Sequence, residues 1–243
     1  MASTSEIGHA NNVANFQDLI EFVTAYGATY NPSKNSLKLP QLIALKASAD
    51  ATLADVITKN TNYNNKVNER ITAFSGLKSL STRLVNALQT TDATTETIGN
   101  AKTFNRKMQG KKASSSQTPT DPNTPAPNTI STSQQSYDQL IQHLAGLTSI
   151  LEAETSYTPN ETDLQVATLQ TKIADLTAKN TAVATAYASI SNSRIARNET
   201  LYSSSTGLVE TANEVKKYIK SVFGASSPQF AQVKGIQFKI IKN

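Results

Sequence analysis

Side chains able to do covalent or acid–base chemistry are few in this sequence and far apart. There are two histidines, His9 and His143, and no cysteine. The absence of cysteine excludes disulfides, thiolate nucleophiles and Cys-ligated zinc. His143 sits at the edge of an apolar stripe and reads as helix packing. His9 falls next to Gly8, ahead of the first periodic segment. No HExxH grouping occurs, no GxSxG turn, and no Ser-x-x-Lys with supporting partners. The nine glycines are scattered without GxGxxG or GxxxxGK[ST], so no phosphate-cradling loop is expected. The carboxylate pairs Glu152/Glu154 and Glu161/Asp163 stand in polar junctions, where solvation or helix capping accounts for them. The sequence therefore predicts no enzyme, no cofactor and no metal centre.

One electrostatic feature stands out. Lys102, Arg106, Lys107, Lys111 and Lys112 cluster in a stretch without any acid from Thr97 to Thr120. Such a cluster fits an anionic partner, whether nucleic acid, lipid headgroups or an acidic protein face. The reading preferred here is a basic helix C-terminus, where positive charge complements the last carbonyls. Phe104 is the sole interleaved aromatic, and no nucleic-acid module is recognisable, so no nucleic-acid partner is expected. The formal charge is +5 over 243 residues. Residues 1–112 hold 13 Lys+Arg against 8 Asp+Glu, and 136–243 hold 10 against 9, so the basic excess belongs to the N-terminal part.

The elements that would carry these residues are helical. Hydrophobic content is 38%, tryptophan is absent, and Ser, Thr, Asn and Ala are abundant. This suits slender helix packing better than one thick core. Residues 111–134 contain Pro119, Pro122, Pro125 and Pro127, half of the eight prolines, and almost no large apolar side chain. That segment reads as a flexible linker. No run approaches 18 apolar residues, so no transmembrane helix is expected. Residues 1–12 read as a flexible N-terminus without a signal peptide, which points to the cytoplasm, with signal-independent export as the other route.

The chain repeats itself across the linker. TYNPSKNSLKL (29–39) returns as SYTPNETDLQV (156–166), NFQDLIEF (15–22) as SYDQLIQH (136–143), and RITAFSGLKSLSTRLV (70–85) as RIARNETLYSSSTGLV (194–209). The offsets are 127, 121 and 124 residues, which predicts an internal duplication of helical repeats at 13–110 and 135–224. In the first repeat Val13, Phe16, Leu19, Ile20 and Val23 form a helical stripe. A long helix then follows from near Pro40, continuous or broken near Ser75-Gly76, and a further one spans roughly 93–109. In the second repeat Thr158-Pro159-Asn160-Glu161 predicts a capping box that starts the long helix. In the tail, 225–243, GIQFKII (235–241) alternates like a strand that would pair with SLKL (36–39) or another subunit.

The motifs GHANNVANFQDLI (8–20), YGATYNPSK (26–34), RIARNETLY (194–202) and TGLVETANEVKKYIKSVFGASSPQF (206–230) resemble those of a bacterial family of internally duplicated, all-helical proteins with no assigned activity. The resemblance implies the fold and a bacterial source, and it lends no site residues. The expectation is an all-α protein: an elongated antiparallel helical bundle of two tandem related repeats with a short C-terminal strand. Its expected role is structural or interactive, through self-assembly or a protein partner. The alternatives are a membrane-active, toxin-like helical protein, touching a membrane surface, or an anionic-partner binder acting through 102–112.

Overall fold

The computed structural model describes residues 6–110 and 135–241, so the linker at 111–134, with Lys111 and Lys112, lies outside the described residues. The fold is all-α, and among the described residues there is no strand. The helices are α1 (Ile7–Ala25), α2 (Leu39–Phe74), α3 (Leu77–Leu88), α4 (Thr95–Gln109), α5 (Tyr137–Ala153), α6 (Val166–Tyr202), α7 (Leu208–Phe223) and α8 (Pro228–Lys234). Short 3₁₀ turns at Asn35–Leu37 and Thr162–Leu164 precede the two long helices.

Local chemistry sets these boundaries. Pro40 falls in the first turn of α2, where its missing N–H would have no partner anyway. The chain breaks between α2 and α3 at Ser75-Gly76, where Gly76 adopts a left-handed φ of 76° that other residues enter at a cost. Thr94 caps α4 by accepting the Thr97 N–H, Ser136 caps α5 through the Gln139 N–H, and Ser227 caps α8 through the Phe230 N–H.

Each long helix is entered through the same elbow. Tyr30 is buried and donates its hydroxyl to the Leu37 carbonyl at 2.7 Å, while Tyr157 donates to the Leu164 carbonyl at 2.9 Å. Leu37 and Leu164 are themselves buried, and the helix starts two residues later in both cases. The capping box expected at Thr158–Glu161 does not form, since α6 begins at Val166. The Tyr157 hydroxyl and the buried Leu164 hold this chain in a turn, and that tertiary hold overrides the local helix-start signal.

Two compact units form. The first holds 1–63 and 186–243; the second holds 64–185. Within the first unit, α1 and the start of α2 pack on the end of α6 and on α7. Its core joins Phe16, Leu19, Leu37 and Leu42 to Leu201, Leu208, Val215 and Ile219. Here α2 and α6 run antiparallel, because Asp55 accepts from Ser193 at 2.6 Å and Tyr63 meets Tyr187 eight residues farther along α2. Within the second unit, the end of α2, α3 and α4 pack on α5 and the start of α6. Its core joins Phe74, Leu77, Leu84 and Met108 to Leu144, Leu147, Leu164 and Leu176. Both units thus draw on residues from either side of the linker, whereas the repeats read from sequence, 13–110 and 135–224, each run through both.

Several expectations change. Of residues 1–12, expected to be flexible, 1–5 lie outside the described residues, while 7–12 belong to α1, with His9 and Asn12 buried on it. The strand expected at 235–241 is not formed: Gly235–Ile241 carries no ladder and does not pair with 36–39, where the 3₁₀ turn Asn35–Leu37 leads into α2. Helix side chains hold the tail instead. Asn12 donates to the Lys239 carbonyl at 2.7 Å and accepts the Lys239 N–H at 3.0 Å. Asn15 donates to the Gln237 carbonyl at 2.7 Å, and Lys216 to the Ile236 carbonyl at 2.7 Å. A side-chain amide offers the same donor and acceptor as a backbone peptide.

Candidate functional site

The basic cluster lies on the last turns of α4. Lys102 and Arg106 are exposed and one helical turn apart, and Lys107 is half-buried with its ammonium 5.5 Å from the centre of the Phe104 ring. Arg106 donates to the Thr103 hydroxyl at 3.0 Å. The helix closes at Gly110, with φ of 75°, whose N–H returns to the Lys107 carbonyl. Arg106 and Lys107 therefore sit where the helix dipole favours positive charge. Two of the five cationic residues named from sequence, Lys102 and Arg106, project together into solvent; Lys111 and Lys112 lie outside the described residues.

A second polar group escaped sequence reading. Arg197, only 1% exposed, is held by the Glu6 carboxylate at 2.6 Å and by the neighbouring Asn198 side chain at 2.8 Å. Beside it His9 Nδ1 lies 2.7 Å from the Tyr202 hydroxyl, which also accepts from Asn12 at 3.3 Å. Burial first, then the positive charge of Arg197, lowers the His9 pKa against the opposing pull of Glu6. Burial also pushes the Tyr202 hydroxyl up. These groups face one another and the tail, with His9 2% exposed, so they tie the start of α1 to α6 and to residues 237–239. Nothing in the sequence announces the cluster, since its members are separated by about 190 positions.

The second unit holds a related arrangement. The Arg70 guanidinium stacks 4.0 Å above the centre of the Tyr137 ring at the start of α5, and donates to Asn180 at 3.0 Å. Glu69 accepts from both Lys66 and Lys179, and these bonds hold its carboxyl below the usual range. His143 is buried on α5 beside Phe104, a packing position as its place on the stripe suggested.

No family model matches the chain, and no curated protein or solved structure matches it. Among the described residues no group of three or more His, Asp or Glu is placed to hold a metal ion, and no helix is long and apolar enough to cross a membrane. What the described surface does offer is apolar side chains along the long helices. Ile43, Ile57 and Ile71 on α2 are 52%, 60% and 52% exposed, each fourteen residues from the next. On α6, Tyr187 and Ile195 are exposed as well.

Proposed function

We propose that this chain is a non-enzymatic structural or interaction protein, built as a tandem duplication, that presents long helical faces to copies of itself. The observation that carries the reading is the row of exposed isoleucines on α2. Fourteen residues are close to four helical turns, so Ile43 and Ile57, both in the first unit, lie near one face of α2. Large apolar groups repeated along one helix face, with polar residues between them, fit a partner helix laid alongside. Polar clusters nearby support the same reading by what they already do: Arg197 and Glu6, Arg70 and Tyr137, and Tyr157 and Leu164 are each committed to holding helix ends.

The duplication is supported by burial. Leu42, Ala49, Val56 and Phe74 on α2 are buried, and so are Leu169, Leu176, Val183 and Leu201 on α6, each 127 residues later. The elbow tyrosines keep the same offset. This register places Arg70 against Arg197, three residues away from the offset that the RITAF and RIARN strings suggested.

Light scattering of the intact protein across concentration tests the function. The mass is expected to rise above 26.1 kDa with concentration. Replacing Ile43, Ile57 and Ile71 together by Glu is expected to abolish the rise while leaving the melting temperature within a few degrees, as for exposed sites. A wild-type chain that stays monomeric throughout would refute the proposal.

A further inference from the structure

The two elbows dock on different helices with opposite charge. In the first unit Lys34, on the Tyr30 elbow, pairs with Glu214 of α7 at 2.7 Å, and Tyr30 meets Tyr218 edge-on at 5.2 Å between ring centres. In the second unit Asp163, on the Tyr157 elbow, pairs with Arg83 of α3, with a second contact at 3.2 Å. Glu161 adds its negative charge to the surroundings of Arg83.

Registering one half on the other makes the reversal explicit. Lys34 and Glu161 are 127 residues apart, as are Tyr30 and Tyr157. On the docking helices the buried Leu77, Leu84 and Leu88 of α3 lie 131 residues before the buried Leu208, Val215 and Ile219 of α7, and that offset sets Arg83 against Glu214. The first half, 6–110, therefore carries Lys34 on its elbow and Arg83 on its docking helix; at the matching positions the second, 135–241, carries Glu161 and Glu214. An elbow meeting the docking helix of its own kind of half would bring Lys34 to Arg83, or Glu161 and Asp163 to Glu214. Pairing of unlike halves satisfies every one of these charges, while like pairing opposes them.

The cores show why such selection matters. Each compact unit takes an elbow and first helix from one half and the docking helix from the other. Neither half can finish a core alone. We propose that the surface by which the halves meet is a recognition interface for the unlike half, whether in the same chain or in a second copy, with the charge-reversed elbows as its specificity determinant. This goes beyond the face-to-face assembly proposed above, because it uses the half-to-half surface and not the exposed isoleucines. Two chains that exchange halves form a closed pair with the interactions of the single chain.

The test starts from the full chain, with a protease site inserted between residues 111 and 134 and cut after folding. The two fragments are expected to stay together as one complex. Two differently tagged cut populations, unfolded, mixed and refolded, are expected to give first-half–second-half complexes carrying both tags, with like-half complexes well below statistical proportion. Lys34→Glu is expected to weaken the complex by about three- to fivefold, as for an exposed ion pair, and Glu214→Lys added to it is expected to restore the affinity. Fragments that separate as folded pieces, like-half pairs in statistical proportion, or an affinity that Lys34→Glu leaves unchanged would each overturn the proposal. The isoleucine experiment uses uncut chains, so failure of face-to-face assembly and failure of half recognition are separately visible.

Discussion

The hydroxyl of Tyr157 shows how one polar atom sets a helix boundary. It satisfies the buried carbonyl of Leu164, which the 3₁₀ turn leaves open, and so fixes where α6 begins. Tyr157→Phe leaves that carbonyl without its donor and is expected to lower stability by about 1–2 kcal/mol, read from urea unfolding. Burial, aided by the negative charges of Glu161 and Asp163, pushes the Tyr157 pKa up to about 12 from an ordinary 10.0. The unfolded chain thus gives up this proton first as pH rises, so stability is complete below about pH 10 and falls between 10 and 12. Tyr30, also pushed up by burial, adds to the same slope. The measurement is the unfolding midpoint against pH: Tyr157→Phe should flatten the decline, and an unchanged slope would deny this tyrosine its part. The repeated Tyr-x-Pro junction was legible in the sequence. Its mechanism was not, because Thr158 and Glu161 spell a capping box locally and only the folded Tyr157 decides against it.

At the scale of elements, helix contact is set by small residues as much as by large ones. Gly146 faces the Phe104 ring where α5 meets α4, and a Cβ added there would overlap the ring's edge atoms. The ring is rigid, so relief needs the two helices to move apart. Gly146→Ala is expected to destabilise the protein by about 1–3 kcal/mol, against the slight gain alanine brings to an uncrowded helix. Thermal melting of the variant checks this, and pairing it with Phe104→Leu should recover part of the loss. The periodic stripes made the long helices legible, including the start near Pro40, because proline acts locally, while the sequence left open whether the chain breaks at Ser75-Gly76, as it does. The tail was misread for an equally physical reason. Alternation marks a chain with one packed face: Ile236 and Phe238 do pack on the core, Phe238 edge-on near Phe16 at 6.4 Å between ring centres, while Ile240 is exposed. Alternation does not report what satisfies the backbone, and here Asn12, Asn15 and Lys216 do so in place of a strand.

Across the whole molecule, the ends of the two halves are placed alike. In the first unit the tail returns to the start of α1, so that a Cβ on Gly8 would lie 2.9 Å from Ile241. In the second unit the end of α4 returns to the start of α5: a Cβ on Gly110 would lie 3.1 Å from the Gln135 side chain, whose amide donates to the Lys107 carbonyl at 2.6 Å. The sequence suggested a doubled order of elements but not this closure. The cores that gather Phe16 with Val215 and Leu84 with Leu144 join residues separated by the linker, and similarity between halves cannot reveal which half completes which core. If chain ends at the first junction and a covalent link at the second are interchangeable, their roles can be exchanged. A circular permutant that joins Asn243 to Met1 through a short glycine-serine link and opens the chain within 111–134 is expected to fold, with a melting temperature within a few degrees of the parent. Opening the chain at Ala28 instead cuts the lead into the Tyr30 elbow and should cost far more. Circular dichroism and thermal melting of the two permutants decide the matter. Equal loss in both would mean that the link at 111–134 does more than join two complementary halves.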